Sequence, residues 1–429
     1  ARAALPGWMA TPVAERIAHV EKILEVYKSR AEDMARAISV EMGAPIDMAR
    51  QQQVGAGVWH ITNFLKAARE FEFEAPLGDH APNDRIIHEA VGVVGMITPW
   101  NWPMNQVTLK VIAGLVAGCT MVLKPSEESP LNAVVFAEII HEAGLPKGVF
   151  NLVNGDGAGV GSQLSAHEDI DMISFTGSAR AGKLIAKSAA DTLKRVSLEL
   201  GGKGANLIFA DADEKAVKRG VIHCMNNTGQ SCNAPTRMLV QREKYDSAVE
   251  EAAEVAASIT VGPASEEGRH IGPVVNEVQF NKIQDLIQKG IDEGARLVAG
   301  GTGRPEGFNK GFYVRPTVFA DVSNDMTIAR EEIFGPVLSI IPFDTEEEAL
   351  ALAAHPTYGL CSGIFTRDLG RALRLSRRIE AGTVWINRYG RSHDHILPTG
   401  GWKASGLGKD LGREAFSANR RTKAVLAAL

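Results

Sequence analysis

The stretch "VGVVGMITP", residues 91 to 99, is apolar on both alternating faces and closes on a proline, too short for a buried helix. A run of that kind is a strand covered on both sides. Four similar runs follow: "TMVLK" (120–124), "VFNLV" (149–153), "DMISF" (171–175) and "RVSLEL" (195–200). Helical patterns intervene, near 104 to 117, after Ser129-Pro130 and near 179 to 191. Single helices between short buried strands build a parallel sheet through right-handed crossovers. The expected fold class is therefore α/β, with a doubly wound parallel sheet.

Upstream of that sheet, Thr11-Pro12 reads as a cap and first helical position, and Ile17, Val20, Leu24 and Tyr27 follow at helical spacing. A second helical pattern runs from Ile46 to Glu70, and "FEFEAPLGDHAPNDRIIHEAVGVV" (71–94) then turns to alternation, as in a hairpin excursion. Downstream of Gly201-Gly202 the pattern restarts, with strands at "ANLIFA", "TRMLVQ", "VLSIIPF" and "GTVWIN" and helices near 212 to 226, 244 to 258 and 275 to 293. A second α/β domain is expected there. The division is 1–71 with 91–201, then 202–405, with 72–90 and 406–429 as a small hairpin and tail. The tail "GREAFSANRRTKAVLAAL" (412–429) offers little core and is expected to pack on another element or subunit.

The 429 residues suffice for two or three domains, 45% are apolar, and the formal charge of -5 is not gathered into a basic stripe. Nucleic acid is not an expected partner. No apolar run approaches the roughly 18 residues of a membrane span, and the N-terminus has no signal-peptide pattern, so the expected location is the cytoplasm. Cys119, Cys224, Cys232 and Cys361 form no CxxC pair and read as reduced thiols. The chain opens at Ala1 without methionine and enters a helix almost at once, which implies a segment upstream.

A doubly wound sheet binds ligands at the carboxyl ends of its strands, so residues there carry the functional reading. "NGDGAGVG" (154–161) is rich in glycine but lacks GxGxxG spacing, and a plain turn explains it equally. In "KPSE" (124–127), Lys124 closes a strand and Glu127 lies beyond it. The pair suits a ribose diol, or is an exposed salt bridge. "FTGS" (175–178) turns the backbone N–H groups of Gly177 and Ser178 outward, which favours an anion, while a serine cap is the simpler reading.

"GQSCNAPTR" (229–237) sets Cys232 in a polar loop, unlike the other cysteines, which read as core residues. A thiol with an ordinary pKa of about 8.5 is a nucleophile at neutral pH only with help. "LELGGK" (198–203) ends a strand on Glu199 before two glycines that allow close approach of a ligand, giving a general base or a structural salt bridge. "PWNWP" (99–103) holds Asn101 in a stiff turn, as an oxyanion donor or as a helix cap with packing tryptophans.

Together "PWNWP", "KPSE", "FTGS", "LELGGK", "GQSCNAPTR" and "EEIFGPV" (331–337), in this order, resemble the NAD(P)-dependent aldehyde dehydrogenase superfamily across nearly the whole chain. The resemblance implies Cys232 as nucleophile, Glu199 as general base, and Asn101 with the Cys232 backbone N–H as oxyanion donors. It implies an NAD site in which Lys124 and Glu127 hold the adenosine ribose, Gly177 and Ser178 meet the pyrophosphate, Glu332 holds the nicotinamide ribose, and Phe334 and Trp100 flank the nicotinamide end. In this family the dinucleotide is bound without GxGxxG, which accounts for the irregular glycines. A dimer or tetramer, using the hairpin and tail, is implied as well.

The implied reaction oxidises a small-molecule aldehyde to its acid through a cysteine thiohemiacetal and a thioester. Acyl transfer to coenzyme A needs no hydrolytic base, so Glu199 counts against it; a non-catalytic binding role is the remaining alternative. NAD is expected over NADP, because Glu127 would repel a 2′-phosphate. The chain departs from the family at Leu397-Pro398-Thr399-Gly400-Gly401, where Pro-Phe-Gly-Gly is common, and it begins later than is usual. In "NRYGRSHDHILPTGG" (387–401), Arg388, Arg391, His393 and His395 would favour a polar or acidic aldehyde if they lined the entrance, against a solvated loop. His393-Asp394-His395 lacks a third ligand, and no metal site is expected.

Overall fold

The computed structural model describes residues 1–390 and 396–428. Arg391, His393 and His395 lie outside the described residues. The chain is α/β, with six-, seven- and three-stranded sheets as its main layers.

The six-stranded sheet runs in the order Gly406–Leu407, Arg195–Glu199, Met172–Thr176, Val93–Ile97, Thr120–Lys124, Phe150–Leu152. All pairs are parallel except the first. The chain enters at Val93–Ile97, works outward to Phe150–Leu152, then returns to the opposite side through Met172–Thr176. That reversal opens a crevice at the carboxyl ends, where Ile97, Lys124, Thr176 and Glu199 stand.

Helix Pro103–Ala117 explains itself from sequence: proline occupies its first turn, Gly118 ends it in the left-handed region (φ 92°), and nearly every side chain is buried. It packs against Gly55–Glu70 and Val13–Ser29 in one apolar cluster with Phe64, Met104, Phe136 and Phe416. At the start of Val13–Ser29, Pro12 holds the cap position, and the Thr11 hydroxyl bonds back to Gly7 O rather than capping (3.0 Å).

The second sheet has seven strands, ordered Arg296–Ala299, Thr317–Ala320, Val337–Phe343, Arg237–Gln241, Ala205–Ile208, Cys361–Phe365, Thr383–Ile386. Three of these, at 296, 317 and 361, have no counterpart among the strands expected from sequence. Apolar clusters cover both faces. Residues 200–204 carry the chain from the first sheet into the second.

The tail corrects an expectation. Phe416 and Ala415 are buried in the first cluster, so the tail contributes core. Gly406–Leu407 completes the six-stranded sheet, and only Arg420–Val425 joins the hairpin strands Glu74–Pro76 and Arg85–Ala90. The reason is that helix Gly412–Ala418 sets Phe416 edge to face against Phe71, and the buried Arg420 just after it lies over the same ring. Among the described residues no helix is long and apolar enough to cross a membrane.

Candidate active site

Cys232 sits at the end of a loop with unusual backbone. After helix Ala216–Met225, Asn227, Thr228 and Gly229 all take left-handed φ values, 53°, 57° and 72°. Asparagine and glycine tolerate that region, whereas a β-branched threonine there is strained. Thr228 is held by its hydroxyl, which donates to Gly272 O (3.0 Å). Gly229 has no alternative: a Cβ would lie 2.0 Å from the Gly335 carbonyl oxygen. The Gln230 amide fixes the next residue, accepting from Val275 N (3.0 Å) and donating to Asn227 O (3.1 Å).

Asn101 is tied into this loop and caps no helix, so the capping alternative is excluded. Its Nδ2 donates to Gln230 O (3.0 Å), and its own carbonyl accepts from Gln53 Nε2 (3.2 Å) and Asn227 Nδ2 (2.9 Å). Trp102 Nε1 donates to Ser231 Oγ (2.7 Å). The "PWNWP" turn and the cysteine loop, over 100 residues apart in sequence, therefore form one rigid frame. An amide carries two N–H donors, and one of those of Asn101 is engaged by Gln230.

Glu199 ends its strand with Thr176 on one side and Gly406 on the other. It is buried, and it shares with Cys232, Thr176 and Trp102 the wall of a cavity of about 390 Å³. The two following glycines admit protein, not only ligand. A Cβ at Gly201 would meet the Glu332 carboxylate at 2.3 Å, and one at Gly202 would meet the Cys232 carbonyl oxygen at 2.7 Å. Gly202 N donates to Glu332 Oε1 (3.0 Å), and burial pushes the Glu332 carboxyl above its ordinary range. Two residues on, Phe334 is left-handed (φ 61°) and meets Trp100 edge to face, with centroids 5.5 Å apart.

At the crevice edge, buried Lys124 donates to Glu127 Oε2 (3.0 Å), so the salt bridge of the simpler reading exists. Burial acts to raise the Glu127 carboxyl, but hydrogen bonds from its own backbone and from Lys124 outweigh it and hold the group low. A half-exposed, charged carboxylate beside a buried ammonium is a donor set that fits a ribose diol. Ser178 caps helix Ala179–Ala190 by accepting from Ala181 N (3.2 Å), leaving its O–H as a donor at the helix start. In the glycine-rich segment, Asp156 Oδ1 accepts from Gly159 N (2.7 Å), so a side chain of the loop occupies one of its own N–H groups.

Several cavity residues were missed from sequence. Lys110, buried inside the apolar helix, donates to Asp410 Oδ2 (2.8 Å), and Asp410 lines the cavity. A lysine interrupting an otherwise apolar helical run was the available signal. Cys361, expected in the core, is buried but also reaches the cavity wall, where its thiol donates to Asn233 O (3.4 Å). His223 stacks on Tyr389 with centroids 4.6 Å apart, and burial pushes it down to about 4. Lys203 is buried with no partner for its amine, and burial, followed by Arg237, pushes it down to about 7. Arg388 is exposed. Among the described residues no group of acidic, histidine or cysteine side chains could hold a metal ion.

Residues 1–425 match the model of the aldehyde dehydrogenase family. A 3-succinoylsemialdehyde-pyridine dehydrogenase from Pseudomonas sp is 46% identical over 99% of this chain and 88% of its own length. The crystal structure of an aldehyde dehydrogenase from Bartonella henselae is 57% identical, with TM-score 0.97 over 99% of this chain and 89% of that one. A mutant of aldehyde dehydrogenase C from Pseudomonas syringae, solved with NAD+ and octanal, is 46% identical, with TM-score 0.96 over 100% of this chain and 88% of that one.

Proposed function

The chain belongs to the aldehyde dehydrogenase family and is an NAD-dependent enzyme that oxidises an aldehyde to its acid; from that premise we propose that Cys232, Glu199 and Asn101 carry the chemistry. The observation that supports this reading best is the cavity wall shared by Cys232 and Glu199, with Asn101 bonded to the residue two before the cysteine. Cys232 Sγ adds to the aldehyde carbon. The oxyanion so formed accepts from the second Asn101 N–H and from the Cys232 backbone N–H, donors fixed before the substrate arrives. The oxyanion then re-forms a carbonyl as the C–H bond breaks and hydride leaves the carbon, which leaves Cys232 Sγ in a thioester; NAD would accept that hydride when bound. Glu199 then takes a proton from water as its oxygen attacks the thioester carbon, and Cys232 leaves as thiolate.

Lys124 and Glu127 would hold the adenosine ribose, Gly177 and Ser178 the pyrophosphate, Glu332 the nicotinamide ribose, and Phe334 with Trp100 the nicotinamide end. The division into residues 1–71 with 91–201, residues 202–405, and a hairpin and tail belongs to this reading. So do a cytoplasmic enzyme and a homo-oligomer assembled through the hairpin and tail; the exposed run Arg421–Val425 supports the latter.

NADH formation and acid release are measured with an aldehyde, with and without coenzyme A. Turnover without coenzyme A is expected, with Cys232→Ala inactive. Glu199→Gln should give one NADH per site in a burst, then a steady rate lower by on the order of 100-fold. Turnover that requires coenzyme A and is indifferent to Glu199→Gln would overturn the hydrolytic assignment.

A further inference from the structure

The wall of the Cys232 cavity is mixed in chemistry. The Cys232 thiol and Glu199 stand on it. Trp59, Trp102 and Trp385 give the same wall broad apolar faces. Among the described residues lining it there is no lysine or arginine. Its two carboxylates are Glu199 and Asp410, and the lysine that compensates Asp410 is itself fully buried beneath the wall. The stacked His223 is neutral near pH 7, since burial pushes it down to about 4. An anionic tail lying against these described residues would lose hydration and meet the carboxylates of Glu199 and Asp410.

The Thr176 hydroxyl and the Gln106 amide oxygen on this wall have no hydrogen-bond partner among the described residues, and only the second stands on the helix that follows Trp102. Gln106, on the first turns of helix Pro103–Ala117, lines the cavity at 7% exposure, and its side-chain carbonyl oxygen is buried with no hydrogen-bond partner. Leaving an amide unpaired in an apolar wall costs stability. A ligand that pairs with it recovers that cost, and a site of this type discriminates against the analogue that lacks the polar group. An amide both donates and accepts, and so does a hydroxyl.

Resting on the reading of Cys232 as nucleophile, we propose that the substrate is an uncharged aldehyde with an apolar, ring-sized body among the tryptophans and a hydroxyl paired with Gln106. Gln106 is thus a specificity-determining residue, acting on the tail of the substrate and not on its carbonyl. The carboxylate-bearing aldehydes that an arginine- or histidine-lined entrance would favour are the competing class.

The test is kcat/KM with NAD for benzaldehyde, meta-hydroxybenzaldehyde, para-(hydroxymethyl)benzaldehyde and the two carboxybenzaldehydes of matching substitution. At least one hydroxylated compound should exceed benzaldehyde by about tenfold, and both carboxylated ones should fall about tenfold or more below it. In Gln106→Leu the ratio of the hydroxylated compound to benzaldehyde should fall to about one, with folding of the variant checked by circular dichroism and thermal melting. A carboxylated compound as the best substrate, or a wild-type enzyme indifferent to the hydroxyl, overturns the inference, as does a preference that survives in Gln106→Leu. If Gln106→Leu does not fold, the wild-type comparison alone decides. Absence of NADH with every aldehyde, by contrast, would count against the Cys232 reading itself.

Discussion

Cys232 is half-exposed on the cavity wall, whereas Cys119, Cys224 and Cys361 are buried. Burial pushes the Cys119 thiol up to about 11 and Cys224 up to about 12, and it raises Cys361 further. The thiolate is the reactive form, so these three are inert near neutral pH. Iodoacetamide at pH 7.5 should label Cys232 first, with activity lost in proportion, as peptide mass mapping will report. Cys361 is the sharpest comparator, because it shares the cavity. Earlier labelling of Cys361 would reverse the assignment of the nucleophile.

The loop that presents Cys232 depends on one close backbone approach. Gly229→Ala would drive a methyl group into the Gly335 carbonyl in a left-handed conformation that alanine resists. The expected result is a loss of about 2 kcal/mol or more in chemical denaturation and slower alkylation of Cys232. Unchanged stability and reactivity would mean that the loop is looser than described. Elements differ in how far the sequence announced them. Val93–Ile97 was readable because it is apolar on both faces, and Glu199, Asn101 and Cys232 stood out as polar residues where apolar elements end. Cys361–Phe365 was not, because "GLCSGIF" is weakened by a serine and two glycines. Gly363 is small because Asn206 and Tyr389 crowd it, a fact of tertiary packing. The Lys110–Asp410 pair was equally hidden, since its members lie 300 residues apart and only the fold joins them.

Across the whole molecule, two histidines make stability depend on acidity. Burial pushes His223 and, together with Arg237, His355 down to about 4, below the ordinary value of about 6.5. Above that value both folded and unfolded chains are neutral at these sites. As pH falls from about 6.5 to about 4 the unfolded chain takes up protons that the folded chain refuses, so stability is lost. Urea denaturation at pH 7 and pH 5 should show the decline, and His223→Gln should reduce its slope. Phe416 tests the other global tie: packed on Phe64 and Phe71 at 5.6 and 5.9 Å, it anchors the tail to the first core. Phe416→Ala should cost about 3 to 5 kcal/mol in the same experiment, and a cost under about 1 kcal/mol would remove that anchor. The strand Gly406–Leu407 has a consequence in time. It flanks the strand that ends on Glu199, and Gly406 pairs with Glu199 itself. During synthesis that carboxylate waits, one flank unzipped, until Gly406 and Leu407 have left the ribosome. A chain that stops before Gly406 leaves Glu199 with a sheet neighbour on one side only.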